Sequence, residues 1–129
     1  LEPVCTSPEA FTLRHPNAPL QVIHGDAPYY NTVWTPSGPL VADFEDATLG
    51  PIEWDLAFAG AEVLARYDAV PHELGSRPHD PDALRTMEAA RMLQLVACFA
   101  LVPELPMLGP GLTSFLDQWR ASPFAGGLV

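Results

Sequence analysis

Proline does most to limit what this chain can fold into: 15 of its 129 residues are proline. Each fixes φ, lacks an amide hydrogen and breaks a helix interior, so the prolines mark where regular elements can run. Four fall within residues 1–20, which read as a lead-in segment holding one short helix. That helix has Ser7 as its N-cap and Pro8 at its first position, enough for about two turns. From Pro51 the chain turns helical. "GPIEWDLAFAGAEVLARY" is expected to form one largely buried helix, with Glu62 and Arg66 four residues apart on its wetter stripe. Residues 71–79 read as a loop. Asp80 as N-cap and Pro81 as first helical residue then open a long helix to about Val102, stopped by Pro103. A last short helix is expected over Gly111 to Arg120, with Leu112, Phe115, Leu116 and Trp119 on one face.

Between these blocks lies the β part. "LQVIH", "TVWT" and "LVADF" are short runs rich in β-branched and aromatic residues. The "PSGP" between the last two predicts a tight hairpin, because Pro36 suits the second turn position and Gly38 a left-handed one. Two registers are open. A three-residue loop pairs Thr35 with Pro39 and sets Asn31 opposite Asp43. A four-residue loop pairs Thr35 with Leu40, so that Asn31 faces Phe44 and Asp43 faces Thr32. A slip of one residue exchanges the faces of a strand. If Asn31 and Asp43 hold one metal, the register that sets them face to face is the one to expect. The fold class is therefore α+β and mainly helical, with a small hairpin packed on helices.

Composition narrows the function. Sixteen acids against six arginines and no lysine give a net charge of −10, which argues against nucleic acid as a partner, since phosphate binding needs a basic stripe. No apolar run approaches the roughly 20 residues of a membrane helix, so no membrane partner is expected. Cys5 and Cys98 are too few for a disulfide framework, and the expected setting is a reducing cytoplasm. His15, His72 and His79 lie in proline-rich loops and read as surface residues; Trp34, Trp54 and Trp119 read as core.

The stretch "VIHGDAPYYNTVWTPSGPLVADFED", residues 22–46, gathers His24, Asp26, Asn31, Asp43, Glu45 and Asp46. Magnesium takes hard oxygen ligands at octahedral spacing, and a catalytic carboxylate needs a short, rigid loop beside the metal it serves. Asp26 could accept the proton of an attacking hydroxyl while Asn31 and Asp43 hold Mg²⁺ on the phosphates of a nucleotide. A hydrolytic metal site built from His24, Asp26 and Asp43 is a weaker reading of the same residues. Plainer roles stay open for each: Asp26 as a turn residue beside Gly25, Asn31 and Asp43 as caps on a hairpin, His24 as a satisfied structural histidine.

"HGDAPYYN", then "ADFED", then "GPIEWDLA" resembles the catalytic lobe of the aminoglycoside phosphotransferase family, kinase-like enzymes that phosphorylate hydroxyls of antibiotics and small metabolites. The family's H-G-D-x-x-x-x-N loop matches at His24, Gly25, Asp26 and Asn31. Its D-[FW]-E segment matches at Asp43, Phe44 and Glu45, and its G-x-x-x-x-D-L-A at Gly50, Asp55, Leu56 and Ala57. The resemblance implies a kinase-like C-terminal lobe over 21–129, with the catalytic loop and metal hairpin in 21–50 and the helical part in 51–129. It implies Asp26 as catalytic base, Asn31 and Asp43 as magnesium ligands, and Glu45 as a further ligand or a support for one. His24 would brace the loop, and Asp55 would receive catalytic-loop amides at the start of its helix. ATP or GTP with Mg²⁺ would be the cofactors and a small-molecule hydroxyl the acceptor, which the acidic composition suits to a cationic compound such as an aminoglycoside.

Two departures qualify the resemblance. The chain has neither the lysine nor the Gly-rich loop with which the family's N-terminal lobe holds the α- and β-phosphates, so that lobe is expected to be absent. A sequence beginning at Leu1 is then expected to be part of a longer phosphotransferase or a natural truncated relative, inactive by itself; a non-catalytic fragment keeping the fold for binding or assembly is the alternative. Second, "APYY" stands where the family commonly carries a His-Pro pair, placing Tyr29 and Tyr30 beside the approach to Asp26.

Overall fold

The computed structural model describes residues 7–27, 31–70 and 74–121. The chain divides into two compact units, Leu1–Met87 and Glu88–Val129. Within the described residues the fold is mainly helical α+β, with two small antiparallel ribbons.

The first unit opens with α1, Pro8–Arg14, capped as its sequence dictates: the Ser7 hydroxyl accepts the Ala10 amide at 3.2 Å. This helix is built into the core. Phe11 and Ala18 pack with Ala83 and Met87 of α4, bordered by Leu20 and Trp54. His15, expected at the surface, is buried among them, with Nε2 3.0 Å from the Thr86 hydroxyl. The ring turns inward because it stacks on Phe11, one turn earlier, at a centroid separation of 4.9 Å. His79 is mostly covered through its bonds to Asp68, and His72 lies outside the described residues.

Strand β1, Gln21–Ile23, pairs antiparallel with β4, Thr48–Gly50. Three residues with one apolar side chain gave β4 no recognisable strand pattern of their own. The hairpin forms as expected, from β2, Thr32–Thr35, and β3, Gly38–Val41, but in neither expected register. Thr35 pairs with Gly38 across a two-residue loop, and Thr32 with Val41. The Thr35 hydroxyl closes this loop by donating to the Gly38 carbonyl at 2.7 Å and accepting the Ser37 amide at 3.3 Å. Gly38 begins its strand at φ +122°, which a side chain would resist. Pro39 then pairs with Trp34. The Ala42 amide donates to the Asn31 carbonyl at 2.9 Å, so Asn31 and Ala42 form a hydrogen-bonded pair. Bonded and non-bonded pairs alternate, which leaves Pro39 at a position that needs no N–H. Asn31 therefore faces Ala42, and Asp43 follows just past the end of the ribbon.

Trp34 was expected in the core and is 71% exposed. Among the described residues the ribbon that carries it has two strands, and no third one covers Val33, Trp34 and Leu40, which are exposed.

The helix expected over 50–67 is two helices. The five-residue α2, Ile52–Leu56, ends at Ala57, and Phe58 takes a left-handed φ of +65° that no α-helix can continue through. The eight-residue α3, Ala61–Asp68, follows and buries none of its side chains. Its Glu62–Arg66 pair forms at 2.7 Å on the exposed surface, as spacing requires.

Helix α4, Pro81–Ala97, starts where Asp80 caps it, its Oδ1 accepting the amides of Asp82 at 2.9 Å and Ala83 at 2.8 Å. It ends earlier than expected, tightening into a 3₁₀ turn over Cys98–Leu101 before Pro103. In the second unit α5, Gly109–Ala121, buries Leu112, with Phe115, Leu116 and Trp119 partly covered. Among the described residues no helix is long and apolar enough to cross a membrane.

Candidate functional site

The site lies where β1 runs into the loop at His24. Strand β1 is short, so the loop after it owes its shape to side chains from elsewhere. Asp55 of α2 supplies the first: its Oδ2 accepts the His24 amide at 2.8 Å and its Oδ1 the Gly25 amide at 3.0 Å. One carboxylate so satisfies two consecutive backbone donors, and bonds to an ionised acceptor are about twice as strong as neutral ones. Trp54, the residue before it, donates its indole N–H to the Gly25 carbonyl at 2.6 Å. Neighbouring residues on one helical turn thus hold both polar groups of the Gly25 backbone.

Gly25 is needed for two independent reasons. Its φ is +85°, and a Cβ there would stand 2.2 Å from the Asp46 carbonyl oxygen. The segment carrying Asp43, Phe44, Glu45 and Asp46 therefore presses its backbone directly onto the loop. His24 ties the same two segments together. Its Nε2 donates to the Ala42 carbonyl at 2.8 Å, and its ring lies against Phe44 at 4.7 Å between centroids. Because a carbonyl can only accept, Nε2 carries the hydrogen, and Nδ1 is buried without a partner among the described residues.

Asp26 follows on this braced loop. The Asn31 side-chain nitrogen donates to the Asp26 carbonyl at 2.7 Å and to its Oδ2 at 3.1 Å. With its NH₂ group turned to Asp26, Asn31 keeps its amide oxygen for another partner. Asp43 adopts φ +63°, a left-handed conformation that aspartate tolerates better than most residues. Its carboxylate is exposed, as are Glu45 and Asp46. Tyr29 and Tyr30 lie outside the described residues.

Among the described residues no three His, Cys, Asp or Glu side chains come together as a metal cluster. Amide oxygens also bind hard cations. The donors on and beside this loop, Asp26, the Asn31 amide oxygen and Asp43, are all hard oxygens of the kind magnesium prefers over transition metals. The donor chemistry fits a magnesium ion. It fits a hydrolytic centre built from His24, Asp26 and Asp43 poorly, since these three do not come together as a metal cluster among the described residues.

On its far side α2 is held by Glu53, which is fully buried. Its carboxylate accepts Arg77 Nη1 at 2.7 Å, Arg77 Nη2 at 2.8 Å and the Asp80 amide at 2.7 Å. The hydrogen bonds to Glu53 push the Arg77 guanidinium above its ordinary pKa, outweighing burial, which lowers it.

The sequence model of the phosphotransferase enzyme family matches residues 7–93, more than half of the chain and the whole of the site just described. The chain belongs to that family. No curated protein and no solved structure gives a significant match.

Within this phosphotransferase-family chain, His24, Gly25, Asp26 and Asn31 come together on one loop with Asp55 beneath it. Asp43 and Glu45 lie on the segment that His24 and Gly25 hold against it. Three contributors escaped sequence reasoning. They are Trp54, which read as a core residue, Asp46 and Glu53. Trp54 stands directly before Asp55, and that adjacency is the one signal that could have pointed to it.

Proposed function

We propose that the chain transfers the terminal phosphoryl group of ATP, or of GTP, to a hydroxyl group of a small molecule, with Mg²⁺ as cofactor. The observation that carries this reading is the hold of Asn31 on Asp26, which aims a carboxylate from a braced loop and leaves an amide oxygen free for a metal. Asp26 accepts the acceptor's hydroxyl proton as its oxygen forms the new bond to the γ-phosphorus and the bond to the nucleoside diphosphate breaks. Asn31 and Asp43 would hold the magnesium, with Glu45 close enough along the chain to support it. When bound, the ion neutralises charge on the phosphates. General-base assistance supplies only about 10²- to 10⁴-fold, so most of the acceleration falls to positioning.

A net charge of −10 and the exposed acids Asp43, Glu45 and Asp46 suit a cationic acceptor of the aminoglycoside kind. The chain has no lysine, and Arg66, Arg77, Arg85 and Arg120 each pair with a carboxylate of their own. Cations for the α- and β-phosphates are therefore scarce, and we infer that these 129 residues alone turn over poorly.

The test is Asp26→Asn, assayed for transfer from radiolabelled ATP to a panel of aminoglycosides and smaller hydroxyl compounds. Transfer is expected to disappear while the circular dichroism spectrum stays unchanged. A variant with near-normal turnover would overturn the assignment. Calorimetry with MgATP should show binding weaker than micromolar for the 129 residues alone; tighter binding would show that the chain supplies its own phosphate contacts.

A further inference from the structure

Helix α2 has five residues and no side-chain cap at its N-terminus. A helix that short does not hold its own shape or direction in water, yet it must aim Trp54 and Asp55 at the Gly25 backbone to within hydrogen-bonding tolerance. Something outside it must set its direction. The only residue of α2 that is fully buried is Glu53, and it faces the strap of residues 74–80 rather than the loop.

That strap is itself well fastened. The Ser76 hydroxyl donates to the Val70 carbonyl at 3.0 Å, the His79 amide and Nδ1 meet Asp68 Oδ1 at 3.0 and 2.9 Å, and Asp80 caps α4. Arg77 sits in its middle and grips Glu53 with two parallel bonds, while the Asp80 amide adds a third to the same carboxylate. A bidentate guanidinium–carboxylate pair fixes orientation as well as distance. A buried ion pair is weak evidence for stability, because packed apolar residues often do as well. Among the described residues Arg77 Nε is also buried without a partner, a cost that an apolar residue would not incur. Apolar residues cannot supply direction, and direction is what α2 lacks.

We propose that the Arg77–Glu53 pair is a positioning device for the catalytic loop. It holds α2 at the angle from which Asp55 and Trp54 shape the backbone at His24 and Gly25, directly before Asp26. Arg77 touches no reacting atom and acts through Glu53, α2 and Gly25 in turn. The catalytic meaning of the device rests on the phosphotransferase reading above; the mechanical linkage does not.

The deciding measurement is residue-resolved amide hydrogen exchange on the full chain. Two variants are compared with wild type: Arg77→Met, and the double variant Glu53→Met with Arg77→Met, which replaces the pair by apolar groups and keeps the core filled. In both, the His24 and Gly25 amides are expected to exchange at least about tenfold faster, because the carboxylate that binds them is no longer held in place. The His15 amide, which caps the end of α1 by donating to the Phe11 carbonyl, should be unchanged in the double variant. A double variant that keeps wild-type protection at His24 and Gly25 overturns the proposal. So does one that speeds all three amides equally, since that marks a loss of global stability alone.

Turnover of MgATP with a hydroxyl acceptor supplies the catalytic arm. The double variant should lower kcat about 10- to 100-fold with KM unchanged. A normal kcat alongside loosened amides would show that the linkage has no catalytic consequence and would overturn the proposal as stated. The exchange result needs no turnover. Failure of the phosphotransferase reading, seen as an Asp26→Asn chain of undiminished activity, is thus distinguishable from failure of the linkage.

Discussion

The Asn31 side-chain nitrogen divides its hydrogens between the two acceptors of one residue, the Asp26 carbonyl at 2.7 Å and the Asp26 carboxylate at 3.1 Å. A residue that can slide along a flexible loop could keep either bond; keeping both fixes χ1 of Asp26 as well as its backbone. The carboxylate is thereby held in one orientation on its loop, as the base proposed for it would need to be.

Asn31→Leu removes both bonds while keeping the number and branching of the side-chain heavy atoms. It is expected to slow phosphoryl transfer by at least about 100-fold, through lost positioning of Asp26 and loss of the proposed magnesium ligand, and to cost about 1 kcal/mol of stability per bond lost. Single-turnover rates and urea midpoints measure the two effects separately. Normal turnover in a folded Asn31→Leu chain would contradict the role given to Asn31.

Gly25→Ala should be far worse than a typical surface change. The new Cβ would meet the Asp46 carbonyl oxygen at 2.2 Å, and the φ of +85° disfavours any side chain. Strain of this kind costs about 1–3 kcal/mol, and relief requires the 43–46 segment to move off the loop. A lowered urea midpoint with abolished transfer is the expected pair of results.

His15 ties stability to pH. Burial lowers its pKa from 6.5 and neighbouring Arg14 lowers it further, against the opposing charges of Asp80 and Glu53. Between the lowered native value and 6.5 the unfolded chain binds a proton that the native chain refuses, so stability rises with pH there and falls as pH drops below 6.5. His15→Gln should flatten that slope in a series of urea midpoints. An identical slope in wild type and variant would place the titration elsewhere.

Trp34→Thr should change almost nothing. The side chain is 71% exposed on a two-stranded ribbon, and surface substitutions away from special features stay within about 0.5 kcal/mol. A loss of several kcal/mol on thermal or chemical unfolding would show that the ribbon is covered in solution.

Local chemistry was the legible part of this molecule. Ser7 before Pro8 and Asp80 before Pro81 read as helix caps, and both accept the amides that such caps accept. The Glu62–Arg66 pair and the hairpin at Pro36 likewise follow from residues within a few positions of each other. The candidate site was legible for a related reason, since most of its chemistry lies in residues 24–46 and Asp55 stands in a motif of its own. The hairpin register was not legible: the Thr35 hydroxyl closed a shorter loop than either expectation allowed. The break between α2 and α3 escaped because it needs Phe58 in a left-handed conformation, which no helix propensity predicts.

By itself the sequence determined where α1 and α4 begin, which residue types gather around Gly25, and the family to which the chain belongs. Those properties depend on neighbours along the chain and on side-chain chemistry that no fold alters. Only the tertiary structure decided that His15 is buried and Trp34 exposed, that Asp46 presses on Gly25, and that Glu53 faces Arg77 across 24 positions. Burial and long-range pairing are settled by which surfaces meet. That depends on the whole chain closing on itself, so no local window of residues can contain it.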